Sequence, residues 1–209
     1  PGNADKLSRL RDAHLDWVKR TGDTGLIAEP IILEREKTIG HRYGILRQSN
    51  DPTFSDRLAD IAVQASEGPT ALPKLLKAMK DGDAAIRYWG AVGIANIGAP
   101  ARSAAKTMRA ALKDESAVVR IAAARALCRL DMPKAALPVL VGELDRGEQW
   151  ERLHAAIVLD QIDEMARPVV VEMHAALKPR EDLYAKGKYT VRVLNRALNQ
   201  LEGTTRAVP

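Results

Sequence analysis

Cysteine is almost missing from this chain: Cys128 is the single one in 209 residues. That excludes an intrachain disulfide and any cysteine-rich metal site. Its place inside a periodic apolar segment assigns it to the interior as a small hydrophobe. Aromatic residues are also scarce, at 4%, although hydrophobic residues reach 46%. The apolar surface is therefore made of Ala, Leu, Val and Ile, which suits closely spaced helices better than a β-sandwich. No apolar run approaches the ~18 residues of a membrane-spanning helix, and Pro1-Gly2-Asn3-Ala4 has no secretion-signal character.

Chemistry-bearing patterns are equally thin. His14, His41, His154 and His174 include no i, i+4 pair that would set two ligands on one helix face, so no metal site is expected. Gly22, Gly25, Gly40 and Gly44 form no phosphate-binding loop, and no cofactor is expected. The acidic pairs Asp160/Asp163 and Glu181/Asp182 read as solvated helix faces. No residue set for catalysis emerges.

What is present is repetition. Arg87, Arg120 and Arg152 recur at spacings of 33 and 32 residues, with Asp81 and Asp114 six positions before the first two and Asp145 seven before the third. After each arginine the small and apolar residues fall in one register: Gly90, Gly93, Ile94 and Ile97; Ala123, Ala126, Leu127 and Leu130; Ala155, Val158, Leu159 and Ile162. Steps of three and four predict one amphipathic helix per copy. Leu58, Ile61, Ala62 and Ala65 repeat the pattern 32 residues earlier as a degenerate first copy, and Leu194, Ala197, Leu198 and Leu201 resume it 39 residues after the third. A second helix follows each first one, over 72–79, 105–112 and 137–144. Prolines at 100, 133 and 168 mark the breaks between the paired helices, and Pro138 is expected in a first turn, where its missing N–H has no partner to lose.

The fold class is therefore all-α, a solenoid of about four helical hairpins. Residues 1–50 precede it as an N-terminal helix, with Leu7, Leu10, His14 and Trp17 on one face, and an irregular connector. Ser49-Asn50-Asp51-Pro52 is the expected boundary. Residues 51–202 form the repeat domain, a polar loop over 178–188 stretches its last copy, and 203–209 is expected to be a frayed tail.

An aspartate before a turn, then Val-Arg-x-x-Ala-x-x-Ala-Leu at a period near 33, resembles HEAT repeats, most closely at Val119-Arg120-Ile121-Ala122-Ala123-Ala124-Arg125-Ala126-Leu127. The resemblance implies an internal ladder of Asp81, Arg87, Asp114, Arg120, Asp145 and Arg152, each arginine paired to an aspartate of a neighbouring turn. Separately, Asp16-Trp17-Val18-Lys19-Arg20-Thr21-Gly22-Asp23-Thr24-Gly25-Leu26-Ile27-Ala28-Glu29 and Gly40-His41-Arg42-Tyr43-Gly44-Ile45-Leu46-Arg47-Gln48 resemble the segment after the catalytic domain of bacterial sulfatases of the alkaline-phosphatase-like superfamily. That resemblance implies a C-terminal region whose Cys/Ser-x-Pro-x-Arg nucleophile and calcium site lie upstream of Pro1, and a periplasmic or secreted location.

The net charge is +5, with 28% charged residues of both signs, which suits a soluble protein weakly attracted to polyanions. Lys74 and Lys77, then Arg102, Lys106, Arg109 and Lys113, line up on successive second helices. Such a stripe either keeps a surface helix solvated or grips a sulfated glycan or nucleic-acid backbone, nucleic acid being the less expected. The leading expectation is a non-catalytic interaction scaffold whose partner is an upstream catalytic domain or another protein, with no membrane contact.

Overall fold

A computed structural model describes residues 2–48, 50–205 and 207 of the chain. Among these the regular structure is entirely helical, in twelve α-helices and several 3-10 turns. The first helices of the repeats are α4 (Phe54–Gln64), α6 (Ala84–Ile97), α8 (Ala117–Arg129), α10 (Gln149–Gln161) and α12 (Lys188–Glu202). They stack side by side in chain order. The second helices, α5 (Leu72–Ala78), α7 (Ala105–Ala111), α9 (Pro133–Arg146) and α11 (Val170–Ala175), form a layer behind them. The molecule is an α-solenoid.

Local sequence starts and stops each helix. Asp83 stands in extended backbone before α6 and its side chain accepts from the Ala85 N–H at 2.8 Å, which satisfies one of the orphan donors of the first turn. Asp81 and Asp114 do the same one turn earlier, accepting from the N–H groups of Asp83 and Ser116 at 2.9 Å. Gly98, at φ +67°, ends α6 in a backbone region that side chains disfavour. The hairpin between α8 and α9 is tighter than expected. Asp131 turns at φ +64°, and Pro133 opens α9 a full turn before residue 137. Pro138 consequently lies inside α9 rather than in its first turn.

The core is one continuous apolar layer between the two rows. Leu58, Leu75, Ile94, Met108, Leu127, Leu140, Leu159 and Leu194 are each fully enclosed. Small residues set how closely the rows approach. A methyl group on Gly93 would lie 2.5 Å from the Leu75 side chain and 2.9 Å from the Ala65 backbone, so α6 packs against α5 at a distance only glycine permits. In α8 the run Ala122-Ala123-Ala124 is buried without occupying width. The scarcity of aromatics and the closeness of the helices are thus the same fact.

Residues 2–48 fold onto this stack. Helix α1 (Ala4–Thr21) meets α4 through Val18 and through Lys19 Nζ, which reaches Asp60 at 2.7 Å. Its other apolar side chains, Leu7, Leu10 and Trp17, stay largely exposed. Helix α2 (Glu29–Ile39) crosses α8 and α10 on the side away from the second helices, and the short α3 (Gly44–Arg47) follows. Ile27, Ile31, Ile32 and Ile45 join the core of the repeats. Of the expected boundary, Ser49 lies outside the described residues. So do Arg206, Val208 and Pro209 of the expected frayed tail, while the Ala207 carbonyl accepts from Asn195 Nδ2 at 3.4 Å.

Candidate interaction surface

The arginines of the repeats do two jobs at once. Arg87 Nη1 donates to the Asp81 and Gly82 carbonyls, both at 2.9 Å, closing the turn before its own helix. Its Nε and Nη2 hold the two oxygens of Asp114, in the next repeat, at 2.8 and 2.9 Å, and Nη2 also reaches Glu115 at 3.0 Å. Arg87 and Asp114 are almost fully enclosed, and the guanidinium is held above its ordinary pKa by Asp114 first. A paired, hydrogen-bonded charge is the only kind such a seam tolerates cheaply.

Along the chain the ladder changes form. Arg120 Nη1 closes its own turn through the Asp114 and Glu115 carbonyls, at 2.8 and 2.9 Å, but its Nε goes to Glu143 at 2.6 Å and not to Asp145. Among the described residues Arg152 takes carbonyls only, those of Leu144, Asp145 at 3.0 Å and Ala176 at 3.5 Å, and its buried Nε has no partner there. Asp145 gives Arg152 its backbone oxygen, as Asp81 does for Arg87 and Asp114 for Arg120. One residue further from its arginine than those two, Asp145 lies within the last turn of α9, and Glu143 faces Arg120. In the next repeat Arg152 meets the Ala176 carbonyl where Arg87 meets the Asp114 carboxylate. The first rung was not anticipated: Arg57 reaches Asp81 at 2.5 Å and also pairs with Asp51.

Opposite the second helices lies an open face, and its curvature is visible in the side chains. Tyr88 of α6 and His154 of α10 meet edge to face at 6.5 Å between ring centres, over α8 between them. Two helices separated by a third touch only where the row is concave on that side. Burial holds the Tyr88 hydroxyl above, and the His154 imidazole below, its ordinary pKa. Arg125 of α8 also spans both neighbours. Its Nε donates to Gln161 of α10 at 3.0 Å and its Nη1 to Asn96 of α6 at 3.1 Å. Asn96 Nδ2 in turn donates to the Ala65 carbonyl at 3.1 Å, so one polar line crosses four helices. This line, too, went unread in the sequence. Its signal is Arg125 itself, set among the buried small and apolar residues of α8 between Arg120 and Arg129.

The chain itself covers part of the concave face. Trp89 Nε1 donates to the Leu26 carbonyl at 2.7 Å, and Arg35 of α2 holds both oxygens of Asp83 at 2.7 and 2.8 Å. These contacts seat residues 26–39 on the ends where α6, α8 and α10 begin. The ends where those helices finish, with Asn96, Arg125, Arg129 and Gln161, are left uncovered. His41 has a local role, its Nδ1 accepting from the Gly44 N–H at 3.0 Å at the start of α3.

On the outer layer Lys74 and Lys77 stand exposed on α5, and Lys106 and Arg109 on α7. The second helix of that repeat is interrupted, however. Arg102 sits in the 3-10 turn Ala99–Ala104 before α7 and Lys113 beyond its last residue, so the four cations do not share one helix as expected. None of the six makes an ion pair among the described residues. Cys128 is enclosed, and burial pushes its thiol up to about 11. No group of His, Cys, Asp and Glu among the described residues is arranged to hold a metal ion, and no described helix is long and apolar enough to cross a membrane. No curated protein and no solved structure matches the chain. Residues 72–160, from the first residue of α5 into the last turn of α10 and including Arg87, Arg120 and Arg152, match the family model of HEAT repeats, to which this stretch is therefore similar.

Proposed function

We propose that the chain is a non-catalytic repeat scaffold that holds another polypeptide. The observation that carries this reading is the concave face, which is crossed by one polar line and only partly covered by the chain's own α2. Repeats of this kind offer long shared surfaces and no enclosed reaction chamber. Lysine cross-linking of the chain in an extract of its own cells tests the reading. Links from the repeat lysines to a second protein are expected, and links confined to the chain itself count against it.

A finer reading places the region after the catalytic domain of a sulfatase-like protein, a hydrolase of sulfuric esters. It rests on residues 16–29 and 40–48, outside the matched repeats. The two strings touch where Arg47 Nη1 donates to the Gly22 carbonyl at 3.3 Å. The coding sequence upstream of Pro1 decides this: a Cys/Ser-x-Pro-x-Arg motif is expected, and its absence removes the sulfatase origin. The alternative is polyanion binding on the outer layer, favoured by the six exposed cations, which make no ion pair among the described residues. Duplex DNA or heparin should then bind at low salt and dissociate steeply as salt rises. No binding at low salt ends that alternative.

A further inference from the structure

Three of the arginines set into the stack face a carboxylate, Arg35 with Asp83, Arg87 with Asp114 and Arg120 with Glu143, whereas Arg152 is enclosed by backbone carbonyls. Arg125, on the open half of the concave face, does neither. Its two described hydrogen bonds go to neutral amides, and Arg129, one turn on, is exposed and makes no ion pair among the described residues. Burial and the adjacent Arg129 both push the Arg125 guanidinium below its ordinary pKa, the mark of a charge left without compensation. Its remaining N–H groups are donors that an incoming acceptor can use.

The surroundings define what that acceptor is attached to. The positions equivalent to Arg125 in the repeat register are Asp60 on α4, which is held by Lys19, then Val92 on α6, Ile157 on α10 and Arg196 on α12. From α6 to α12 apolar and cationic side chains therefore alternate from helix to helix, with Ile157 partly exposed. Adjacent helices lie roughly 10 Å apart. A uniformly charged backbone is a poor fit, because Asp160 and Asp163 stand one helix along from Arg125, bound to Arg196 and Gln200. From this geometry we infer that the uncovered half of the concave face binds an acidic, apolar-interleaved segment of a partner polypeptide, with a carboxylate on Arg125 and Arg129 and an aliphatic side chain on Ile157 or Val92.

This deepens the scaffold reading and rests on it. The test is fluorescence anisotropy of the whole chain with a labelled dodecapeptide that alternates glutamate and leucine. Binding is expected, with a glutamine-for-glutamate version weaker by about tenfold or more, since charge-assisted hydrogen bonds are the ones lost. Arg129→Glu, at an exposed position, should weaken the glutamate peptide by a similar factor while leaving the circular dichroism melt unchanged. Lys74→Glu with Lys77→Glu on the outer layer should leave it unaffected. No binding, or binding indifferent to Arg129→Glu, overturns the inference. So does displacement of the peptide by a single-stranded oligonucleotide that shares the Arg129→Glu sensitivity, since the face would then be a polyanion site. None of these results removes the scaffold reading, which stands or falls on cross-links formed anywhere along the repeats.

Discussion

Arg87→Ala is expected to destabilise the fold by about 3 kcal/mol, because it strands the enclosed Asp114 carboxylate as well as the Asp81 and Gly82 carbonyls. Arg87→Lys should recover little of this, since an ammonium cannot hold both carboxylate oxygens and the turn together. Arg152→Met should cost clearly less than Arg87→Met, its guanidinium being buried with no carboxylate and one unpartnered N–H. Urea melts of the four variants check the order, and equal losses for Arg87→Met and Arg152→Met would contradict the assignment of rungs. His154 gives a pH signature. Its folded-state pKa lies below the ordinary value of about 6.5, so the unfolded chain takes up the proton first and stability falls as pH drops through that value. Melting temperatures of the parent chain and of His154→Gln should diverge between about pH 7 and about pH 5, with the parent losing more. Parallel curves would show that the imidazole is not shielded. The spacing of arginines and aspartates was readable in the sequence, but their partners were not. Which group an arginine meets depends on where the preceding helix ends and on what the next turn carries: α9 runs on through Asp145, and the turn after α11 presents the Ala176 carbonyl to Arg152.

Within the elements, α6 shows how composition controls approach. Gly93→Ala raises helix propensity by about 1 kcal/mol, yet the added methyl would sit 2.5 Å from a Leu75 carbon and 2.9 Å from the Ala65 backbone. Overpacking of this kind costs about 1–3 kcal/mol, so a net loss is expected. A melting temperature raised by Gly93→Ala would mean that α5 and α6 are not in close contact. Helix positions were legible because three- and four-residue steps of Ala, Leu and Ile encode a buried stripe directly. The start of α7 at Ala105 was legible too. The start of α9 was not: it begins a turn early because Asp131 accepts a left-handed backbone, which residue type only biases.

At the scale of the whole molecule, residues 22–48, which fold as α2, α3 and the turns beside them, find their meaning on the face they cover. They showed no period because their apolar side chains, Ile27, Ile31, Ile32 and Ile45, serve a surface made by other helices and not a face of their own. Arg35→Ala should therefore loosen α2 from Asp83 and shift the emission of Trp89, whose indole N–H is held by the Leu26 carbonyl. An unchanged Trp89 environment would argue that α2 is seated by its isoleucines alone. A stack of this kind also predicts a gradient of stability, because each helix is braced only by its neighbours and the middle ones have two. The most direct measurement is amide hydrogen exchange on the intact chain. The slowest exchange is expected in α8, with protection falling toward α4 on one side and α12 on the other. Exchange in α8 as fast as in α1 would contradict the side-by-side row on which the concave face depends.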